Sequence, residues 1–355
     1  MGEWIPDILG NGFEQRTLPL GEDAEGEIVA TVVRALPSER PWWRWRRSRR
    51  PLEDVDVLYV HGWSDYFFQK RLARFWTSRG ARFYALDLRK YGRSLRPGQT
   101  PGYITDLAEY DADIAAALQA RGDATGRRLV LFGHSTGGLT LSLWASRHPN
   151  EVDALILNAP WLEFQLSAAR AAIAPVVELQ ARLWPMDAAP QVDLGFYTRA
   201  QREVADPDDP MDIVAQWRPE QTMTVHAAWL HAVFAGHAAV SRGLGLTAPA
   251  CVLLSQRSTI PTRWSPELTR TDSVLVVDDI AKAALKIGSS VTVERIDGAL
   301  HDVFLSRRDA RDEAYARLDR WVTGWVAQTT AVGHRAQAGQ RAPEGQRAPE
   351  IQATP

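Results

Sequence analysis

Hydrophobic and polar positions follow one another along most of the chain in an order that predicts strands and helices in turn. Near the N-terminus, FEQRTLPL and EIVATVVRAL predict two antiparallel strands joined at GEDAEG. Further on, continuous apolar runs predict buried strands: VDVLYVHG, RFYALDL, RRLVLFG, VDALILNAP, APACVLLS and VTVERIDG. The segments between these runs have helical spacing. The pattern indicates an α/β fold with a mostly parallel central sheet and helices on both faces.

The alternation of strands and helices stops at Pro160. Residues 161–247 are rich in Ala, Trp, Pro and Asp and predict helices and irregular segments without a clear strand. We therefore expect a first part of the core in 1–160, an inserted helical cap in 161–247 and a second part of the core in 248–328. Residues 329–355 contain the repeat GQRAPE and few large apolar residues, so we expect a disordered tail there.

Composition and charge narrow the class of protein. The chain has 355 residues, of which 45% are hydrophobic and 24% charged, as in a globular protein with a large core. Its formal net charge of -2 gives no electrostatic reason to expect nucleic acid as a partner. The single cysteine, Cys251, lies in an apolar run and is expected in the core. Because neither a signal peptide nor a run of about 20 apolar residues is present, we expect a cytoplasmic protein.

The segment GHSTGG contains the pattern G-x-S-x-G, formed by Gly133, Ser135 and Gly137. A strand is predicted before the segment and a helix after it, which is the context in which such a serine is a nucleophile. The hydroxyl then lies at a helix N-terminus, where developing negative charge is favoured. The alternative is a plain glycine-rich turn. We predict that Ser135 is the nucleophile.

A serine nucleophile needs a base, and the base needs an orienting acid. His301 lies after the last predicted strand and before the last helix, where a fold with the chain order serine, acid, histidine has its base. The alternative is a surface-loop histidine. For the acid we predict Asp272, which follows the insertion QRSTIPTRWSPELTR and is separated from His301 by one predicted helix and one strand. The other candidates are Asp278, Asp279 and Glu267.

Two backbone N–H groups are predicted to bind the oxyanion of the reaction. One belongs to Thr136, directly after the nucleophile, and the other to Trp63, directly after Gly62 at the end of the strand VDVLYV. We also expect His134 and Trp161 to line the substrate pocket.

The cap contains three histidines whose spacing does not favour a metal site. His226, His231 and His237 lie in one predicted helix, but neighbouring members do not share a face. The first and last share a face at a separation of roughly 16 Å, too far for one ion. We expect them to be packing or pocket residues, and we predict no metal.

Taken together, HGW, DLRKYGRS, GHSTGG and GALHDVF resemble capped serine α/β-hydrolases of the monoacylglycerol lipase, lysophospholipase and serine aminopeptidase group. The resemblance covers roughly residues 13–328. It implies the α/β-hydrolase fold and an acyl-enzyme on Ser135, with His301 as proton shuttle and Asp272 as its orienting acid. It implies no metal and no organic cofactor.

The substrate class has three possible interpretations. Apolar residues of the cap favour an acyl pocket and hence a carboxylic ester, acylglycerol-like or lysophospholipid-like. A proline-type aminopeptidase would need acidic residues in the cap to hold an amine, and Glu163, Glu178 and the DPDDP run are available. A non-catalytic binding member of the fold is disfavoured by the intact serine, histidine and acid. The sequence does not indicate an oligomeric state.

Residues 40–50 hold six arginines and three tryptophans. Arginine suits anionic head groups and tryptophan suits the membrane interface, so this segment is a candidate for peripheral membrane contact. The alternative is a solvated loop with stacked Arg–Trp pairs. Nucleic acid is not expected, because the rest of the chain is not basic.

Overall fold

The structure is a computed structural model that describes residues 2–38, 50–165, 167–189 and 193–339. Within these residues a nine-stranded sheet has the order β1-β2-β3-β5-β4-β6-β7-β8-β9. The strands are β1 Ile5–Pro6, β2 Glu14–Asp23, β3 Gly26–Ala35, β4 Val55–Val60, β5 Arg82–Asp87, β6 Arg128–His134, β7 Ala154–Asn158, β8 Ala250–Ser255 and β9 Val291–Ile296.

The sheet is mostly parallel, which confirms the prediction. Strands β5, β4, β6, β7, β8 and β9 pair in parallel, and β3 joins this block antiparallel to β5. The N-terminal strands β2 and β3 form the expected antiparallel pair. The two-residue strand β1, which pairs with β2, was not predicted because so short a segment has no hydrophobic period of its own.

Helices cover both faces of the sheet, as the continuous apolar strands require. On one face lie α1 (Lys70–Ser78) and α8 (Arg308–Gly339); on the other lie α2 (Tyr110–Ala120), α3 (Thr136–Arg147) and α7 (Val277–Ala284).

The packing of strand β4 explains why all of its residues but Asp56 are apolar. Val57 and Tyr59 pack in the same core as Trp76 of α1, whereas Leu58 and Val60 pack in the core on the opposite face. Successive side chains of a strand point to opposite faces, and here both faces are buried.

The segment between β7 and β8 carries three helices: α4 (Ser167–Leu183), α5 (Phe196–Glu203) and α6 (Ala227–Arg242). Among its described residues the only bridge pairs are isolated contacts, such as Ala188 with His226. This segment lies over the carboxyl ends of the parallel strands, since residues of α5 and α6 contact the loops that follow β4 and β9.

The C-terminal helix differs from expectation at its end. We predicted a disordered tail from residue 329, but α8 continues to Gly339, so the prediction is wrong for residues 329–339. The sequence TTAVGHRAQAG contains no proline, and its alanines, glutamine and arginine favour continuation of a helix that is already anchored on the core, in spite of its two glycines. The rest of the expected tail, residues 340–355, lies outside the described residues.

Two further sequence features concern membranes. Of the arginine- and tryptophan-rich segment 40–50, only Arg50 lies within the described residues. No helix in the described part of the chain combines the length and the apolar character needed to cross a bilayer.

Candidate active site

Ser135 occupies the sharp turn between β6 and α3. Its backbone has φ 51° and ψ -118°, in the left-handed region that a non-glycine residue rarely adopts. Such strain costs about 1–3 kcal/mol and persists only where the surroundings enforce it. The Ser135 N–H donates to the carbonyl oxygen of Asn158 (3.0 Å), and its own carbonyl oxygen accepts from the N–H of Trp161 (2.9 Å). The turn is therefore fixed from both sides.

The glycines around Ser135 are required by close backbone contacts. A Cβ on Gly133 would lie 2.5 Å from the Cα of Gly138. A Cβ on Gly137 would overlap the carbonyl oxygen of His61. The G-x-S-x-G spacing thus allows helix α3 and strand β4 to approach the nucleophile turn closely.

Ser135, His301 and Asp272 come together in one hydrogen-bonded chain. The Oγ of Ser135 lies 3.1 Å from Nε2 of His301, and Nδ1 of His301 lies 2.9 Å from Oδ2 of Asp272. With its Nδ1–H donated to the carboxylate, the imidazole has a free Nε2 lone pair that accepts the serine proton. Ser135 is 9% exposed, His301 3% and Asp272 0%, so this chain of groups is shielded from water.

The other acids considered from the sequence lie elsewhere. Asp278 forms an exposed ion pair with Arg295, and Glu267 pairs with Arg257. Asp279 lies in the first turn of α7, as its sequence position indicated. Asp272 instead points inward, where its Oδ1 accepts from the N–H groups that follow it: Val274 (2.7 Å) and Leu275 (2.8 Å).

The loop after β4 lies directly against the nucleophile. A Cβ on Gly62 would lie 2.9 Å from Cβ of Ser135. His61 fixes this loop, because its Nε2 accepts from the Leu88 N–H (3.2 Å) and its Nδ1–H donates to the carbonyl oxygen of Gly62 (2.7 Å). The planar peptide between Gly62 and Trp63 is thereby held in one orientation.

The two N–H groups predicted to bind an oxyanion come from the two segments that meet at Ser135, the nucleophile turn and the loop after β4. Trp63 follows Gly62, and Thr136 is the first residue of α3. Among the residues that the structure describes, neither N–H has a hydrogen-bond partner. Both are therefore available to an incoming oxygen.

Three tryptophans gather next to Ser135. The rings of Trp63 and Trp229 lie 3.9 Å apart between centroids, and those of Trp229 and Trp161 lie 6.0 Å apart. Within the described residues, the buried indole N–H groups of Trp63 and Trp161 have no hydrogen-bond partner. Trp161, expected in the pocket, is thus close to the nucleophile.

His134 lies beside His301, with the two ring centroids 5.0 Å apart. Its Nδ1–H donates to the carbonyl oxygen of Asn158 (3.1 Å) and its Nε2 lies 3.9 Å from Asp302. Burial lowers the pKa of His134, although the Asp302 charge opposes the shift. His134 is only 3% exposed, and its ring packs against the ring of His301.

Several polar residues around the site were not identified from the sequence. Asp302 accepts hydrogen bonds from the side chains of Gln69 and Asn158, each at 2.7 Å. Tyr197 of α5 places its ring edge on His301, with centroids 5.6 Å apart, and its hydroxyl accepts from the Asp302 N–H. The dipeptide His301-Asp302 is visible in GALHDVF, but its partners lie in distant segments and have no local pattern.

The cap also contacts the loop after β4. Arg218 forms an ion pair with Asp65 at 2.8 Å, and both side chains are less than a tenth exposed. Burial alone would lower the pKa of Arg218, but Asp65 and the neighbouring Asp302 raise it. Next to this pair, the Oγ of Ser64 accepts from the Met223 N–H at 3.1 Å. The cap is therefore attached to the segment that carries Trp63.

Two of the three cap histidines, His226 and His237, have hydrogen-bond partners in the protein. His226 precedes α6 and its Nδ1–H donates to the Met186 carbonyl oxygen (2.6 Å), whereas His237 is buried with Nε2 2.9 Å from the Trp161 carbonyl oxygen. Among the described residues, no three His, Cys, Asp or Glu side chains are grouped as metal ligands.

Comparison with known proteins gives matches along most of the chain. A family profile described as serine aminopeptidase, S33, matches residues 54–308. A monoacylglycerol lipase of Mycolicibacterium smegmatis is 26% identical over 257 residues, which are 70% of this chain and 81% of that relative.

Two solved structures share the fold. A monoacylglycerol lipase from Paleococcus ferrophilus superposes with a TM-score of 0.57 at 17% identity, over 76% of this chain and 94% of that one. A soluble variant of the monoglyceride lipase from Saccharomyces cerevisiae superposes with a TM-score of 0.58 at 16% identity, over 87% and 96%.

Proposed function

The chain belongs to the serine aminopeptidase S33 family of α/β-hydrolases, and from this premise we propose that it is a serine hydrolase that cleaves carboxylic esters through an acyl-enzyme on Ser135. The family match and the fold confirm what the sequence motifs implied at the coarser level: the protein is a hydrolase of the α/β-hydrolase fold. The observation that carries the proposal is the hydrogen-bonded chain from Ser135 through His301 to Asp272, with spacings of 3.1 and 2.9 Å.

In the proposed reaction, Ser135 Oγ attacks the ester carbonyl carbon while His301 Nε2 takes the hydroxyl proton. The charge on the carbonyl oxygen is stabilised by the N–H groups of Trp63 and Thr136. His301 then gives the proton to the leaving alkoxide, and the alcohol departs. Water, deprotonated by His301, attacks the acyl-enzyme and releases the acid. Asp272 keeps the imidazole in the required tautomer throughout.

The substrate we propose is an acylglycerol-like or lysophospholipid-like ester. The tryptophan cluster of Trp63, Trp161 and Trp229 offers apolar surface next to the nucleophile. The similarity to a monoacylglycerol lipase supports the same class. The proposed mechanism uses no metal and no organic cofactor.

An aminopeptidase activity is the alternative, and the cap acids argue against it. A substrate amine needs an unpaired carboxylate, but Glu178 pairs with Arg182, and Asp206 and Asp208 pair with Arg308. Three of the acids considered for this role in the sequence are thus engaged with arginine, whereas Glu163 accepts a hydrogen bond from the N–H of Phe164 (2.9 Å).

The deciding experiment compares p-nitrophenyl esters of increasing chain length, a monoacylglycerol and a lysophospholipid with aminoacyl-p-nitroanilides. Ester cleavage that disappears in Ser135→Ala is the expected result. Cleavage of anilides alone would replace the ester proposal by the peptidase one. Activity that is unchanged in Ser135→Ala would contradict the mechanism as a whole.

We also propose peripheral membrane contact through residues 40–50, on the strength of their arginines and tryptophans alone. Liposome co-sedimentation of the full chain, with the arginines and tryptophans of residues 42–50 replaced by neutral polar residues in a second form, tests this. Weaker sedimentation of the altered form with anionic vesicles supports the proposal, and equal sedimentation of both forms removes it. No nucleic-acid partner is proposed.

A further inference from the structure

Asp302, the residue after His301, is a fully buried carboxylate. Its Oδ2 accepts from Nε2 of Gln69 (2.7 Å), and its Oδ1 accepts from Nδ2 of Asn158 (2.7 Å) and from the N–H of Phe304 (3.0 Å). All of these partners are donors, and an ionised carboxylate is the form that only accepts. These three donors therefore stabilise the ionised form of the Asp302 side chain.

This charge has no cationic partner of the usual kind. In the described segments of the chain, no lysine or arginine nitrogen lies within 4.0 Å of the Asp302 carboxylate, and the nearest basic nitrogen is Nε2 of His134 at 3.9 Å. A buried charge without an ion-pair partner is costly. Such a group beside a reactive histidine is a candidate for a functional role rather than a contribution to stability.

The hydrogen bonds of Asp302 connect three separate segments. Gln69 precedes α1 at the end of the loop that carries Trp63, and Asn158 ends β7. The same Asn158 accepts the N–H of Ser135 on its carbonyl oxygen (3.0 Å) and that of Val303 on Oδ1 (3.2 Å). One asparagine thus attaches the nucleophile turn to the loop of His301, and Asp302 holds its amide.

We propose that Asp302 is a positioning residue of the reaction with two effects. It fixes the loop of His301 against the nucleophile turn. Its negative charge also favours the imidazolium that forms when His301 accepts the Ser135 proton. The inference rests on the proposed function, because it assigns to Asp302 an effect on that same serine and histidine. Asp302 acts through His301 and does not itself touch the substrate.

The other charged and titratable groups near His301 are few. Asp272 faces its Nδ1 from the loop after β8, and Tyr197 faces its ring from α5. His134 approaches from β6, and burial favours its neutral form. The Asp65 carboxylate is compensated by Arg218. Asp302 is therefore a buried carboxylate without an ion-pair partner of its own among these described neighbours, and the nearby Arg218 cation, whose pKa it raises, is paired directly with Asp65.

The test uses a fluorophosphonate, which reacts with an activated serine whatever the natural substrate is. The second-order rate constant for labelling of Ser135 is measured against pH for the wild type, Asp302→Asn and the control Asp309→Asn. Asp309 is an exposed acid of the same segment, paired with Arg307. We expect Asp302→Asn to label at least about 10-fold more slowly and Asp309→Asn to label like the wild type.

The pH profile separates an electrostatic role from a structural one. Labelling requires neutral His301, so the rate falls on the acidic side as His301 is protonated. Removing a nearby negative charge disfavours the protonated imidazole, so the acidic limb of Asp302→Asn is expected at lower pH than that of the wild type. A wild-type rate and an unshifted limb in Asp302→Asn would overturn the proposal. A wild type that does not label would instead contradict the proposed function.

A second variant covers the case in which Asp302→Asn does not fold. Asn158→Ala removes the amide that holds Asp302 but keeps both the backbone carbonyl that accepts from Ser135 and the Asp302 charge. We expect slower labelling without a shift of the acidic limb, at a melting temperature that keeps the protein folded in the assay. Labelling of Asn158→Ala at the wild-type rate would also overturn the proposal.

Discussion

The backbone N–H of Asp272 donates a hydrogen bond to the carbonyl oxygen of Arg257 at 3.0 Å, across the intervening segment 258–271. The N–H of Thr259 returns a bond to the carbonyl oxygen of Asp272 at 2.9 Å, so the two ends of the segment pair side by side. The insertion is therefore closed at its base. Asp272 therefore lies close in space to the end of β8, although the insertion separates the two in the sequence.

This closure predicts that Asp272, and not Asp278, Asp279 or Glu267, is the acid that orients His301. Asp272→Asn keeps the size of the side chain but disturbs the tautomer of His301, and we expect kcat to fall by about three to four orders of magnitude. Asp278→Asn is the matched control, because its carboxylate is 68% exposed and pairs with Arg295. Ester hydrolysis kinetics measure both, and a large loss in Asp278→Asn with a small one in Asp272→Asn would reverse the assignment.

The contact between Gly62 and Ser135 gives a second prediction. In Gly62→Ala the new Cβ would lie 2.9 Å from Ser135 Cβ, so the loop that carries the Trp63 N–H must shift. Loss of one well-placed oxyanion donor costs about 10²–10³ in kcat, and we expect a loss of this order with KM little changed.

Gly324→Ala is the control for Gly62→Ala. Gly324 lies within α8, and its added Cβ meets no atom within 4 Å. Here we expect unchanged kcat and a gain of about 0.5–1 kcal/mol in the free energy of unfolding, since alanine is the better helix former. Equal kcat in Gly62→Ala and the wild type would show that this loop does not serve the oxyanion.

The fold could be predicted from the sequence because the features that define it are short segments of neighbouring residues. Apolar runs define the strands, and the glycines flanking Ser135 mark a turn whose geometry leaves few alternatives. The partners of Asp302 could not be predicted in this way, because Gln69 and Asn158 are distant in the chain and have no motif. The same holds for Arg218 and Asp65, whose pairing depends on how the cap packs on the core.

That ion pair between Arg218 and Asp65 gives a third prediction. Breaking a buried pair leaves an uncompensated charge and costs about 3–5 kcal/mol, so Arg218→Met should lower the free energy of unfolding by about that much. Because Asp65 lies two residues after Trp63, kcat should fall as well. The double variant Asp65→Asn/Arg218→Met should recover part of the stability, since the Asp65 carboxylate is then no longer left without its partner.

The cap provides a surface pair as a comparison for Arg218. Arg202 and Glu220 form an ion pair whose side chains are 60% and 62% exposed. Exposed pairs contribute about 0–1 kcal/mol, so Arg202→Met should change urea denaturation little and kcat not at all. If Arg202→Met and Arg218→Met change urea denaturation and kcat equally, the buried pair stabilises the protein no more than the exposed pair does.

The contact of Asp206 with α8 gives a fourth prediction, which concerns pH. Asp206 of the cap accepts hydrogen bonds from Arg311 and Arg308, and these, with Arg311 first, lower the pKa of its carboxyl to about 2. The unfolded chain has an ordinary aspartate pKa near ~3.9. A carboxyl with a lower pKa in the folded state stabilises the fold above the unfolded value and loses this contribution as pH falls towards the folded one.

The stabilisation by Asp206 should therefore be complete at pH 5–7 and decline below about pH 4. Asp206→Asn lacks the carboxylate at every pH, so its urea midpoint should lie below that of the wild type by a constant amount from pH 5 to 7. Between about pH 4 and 2 the wild type loses its advantage and the two midpoints should converge. Asp208→Asn is the control, because the Asp208 side chain is 79% exposed and, among the described residues, its carboxylate pairs only with the exposed Arg308. A difference for Asp206→Asn that stays constant down to pH 3 would show that the carboxylate charge does not hold the cap on α8.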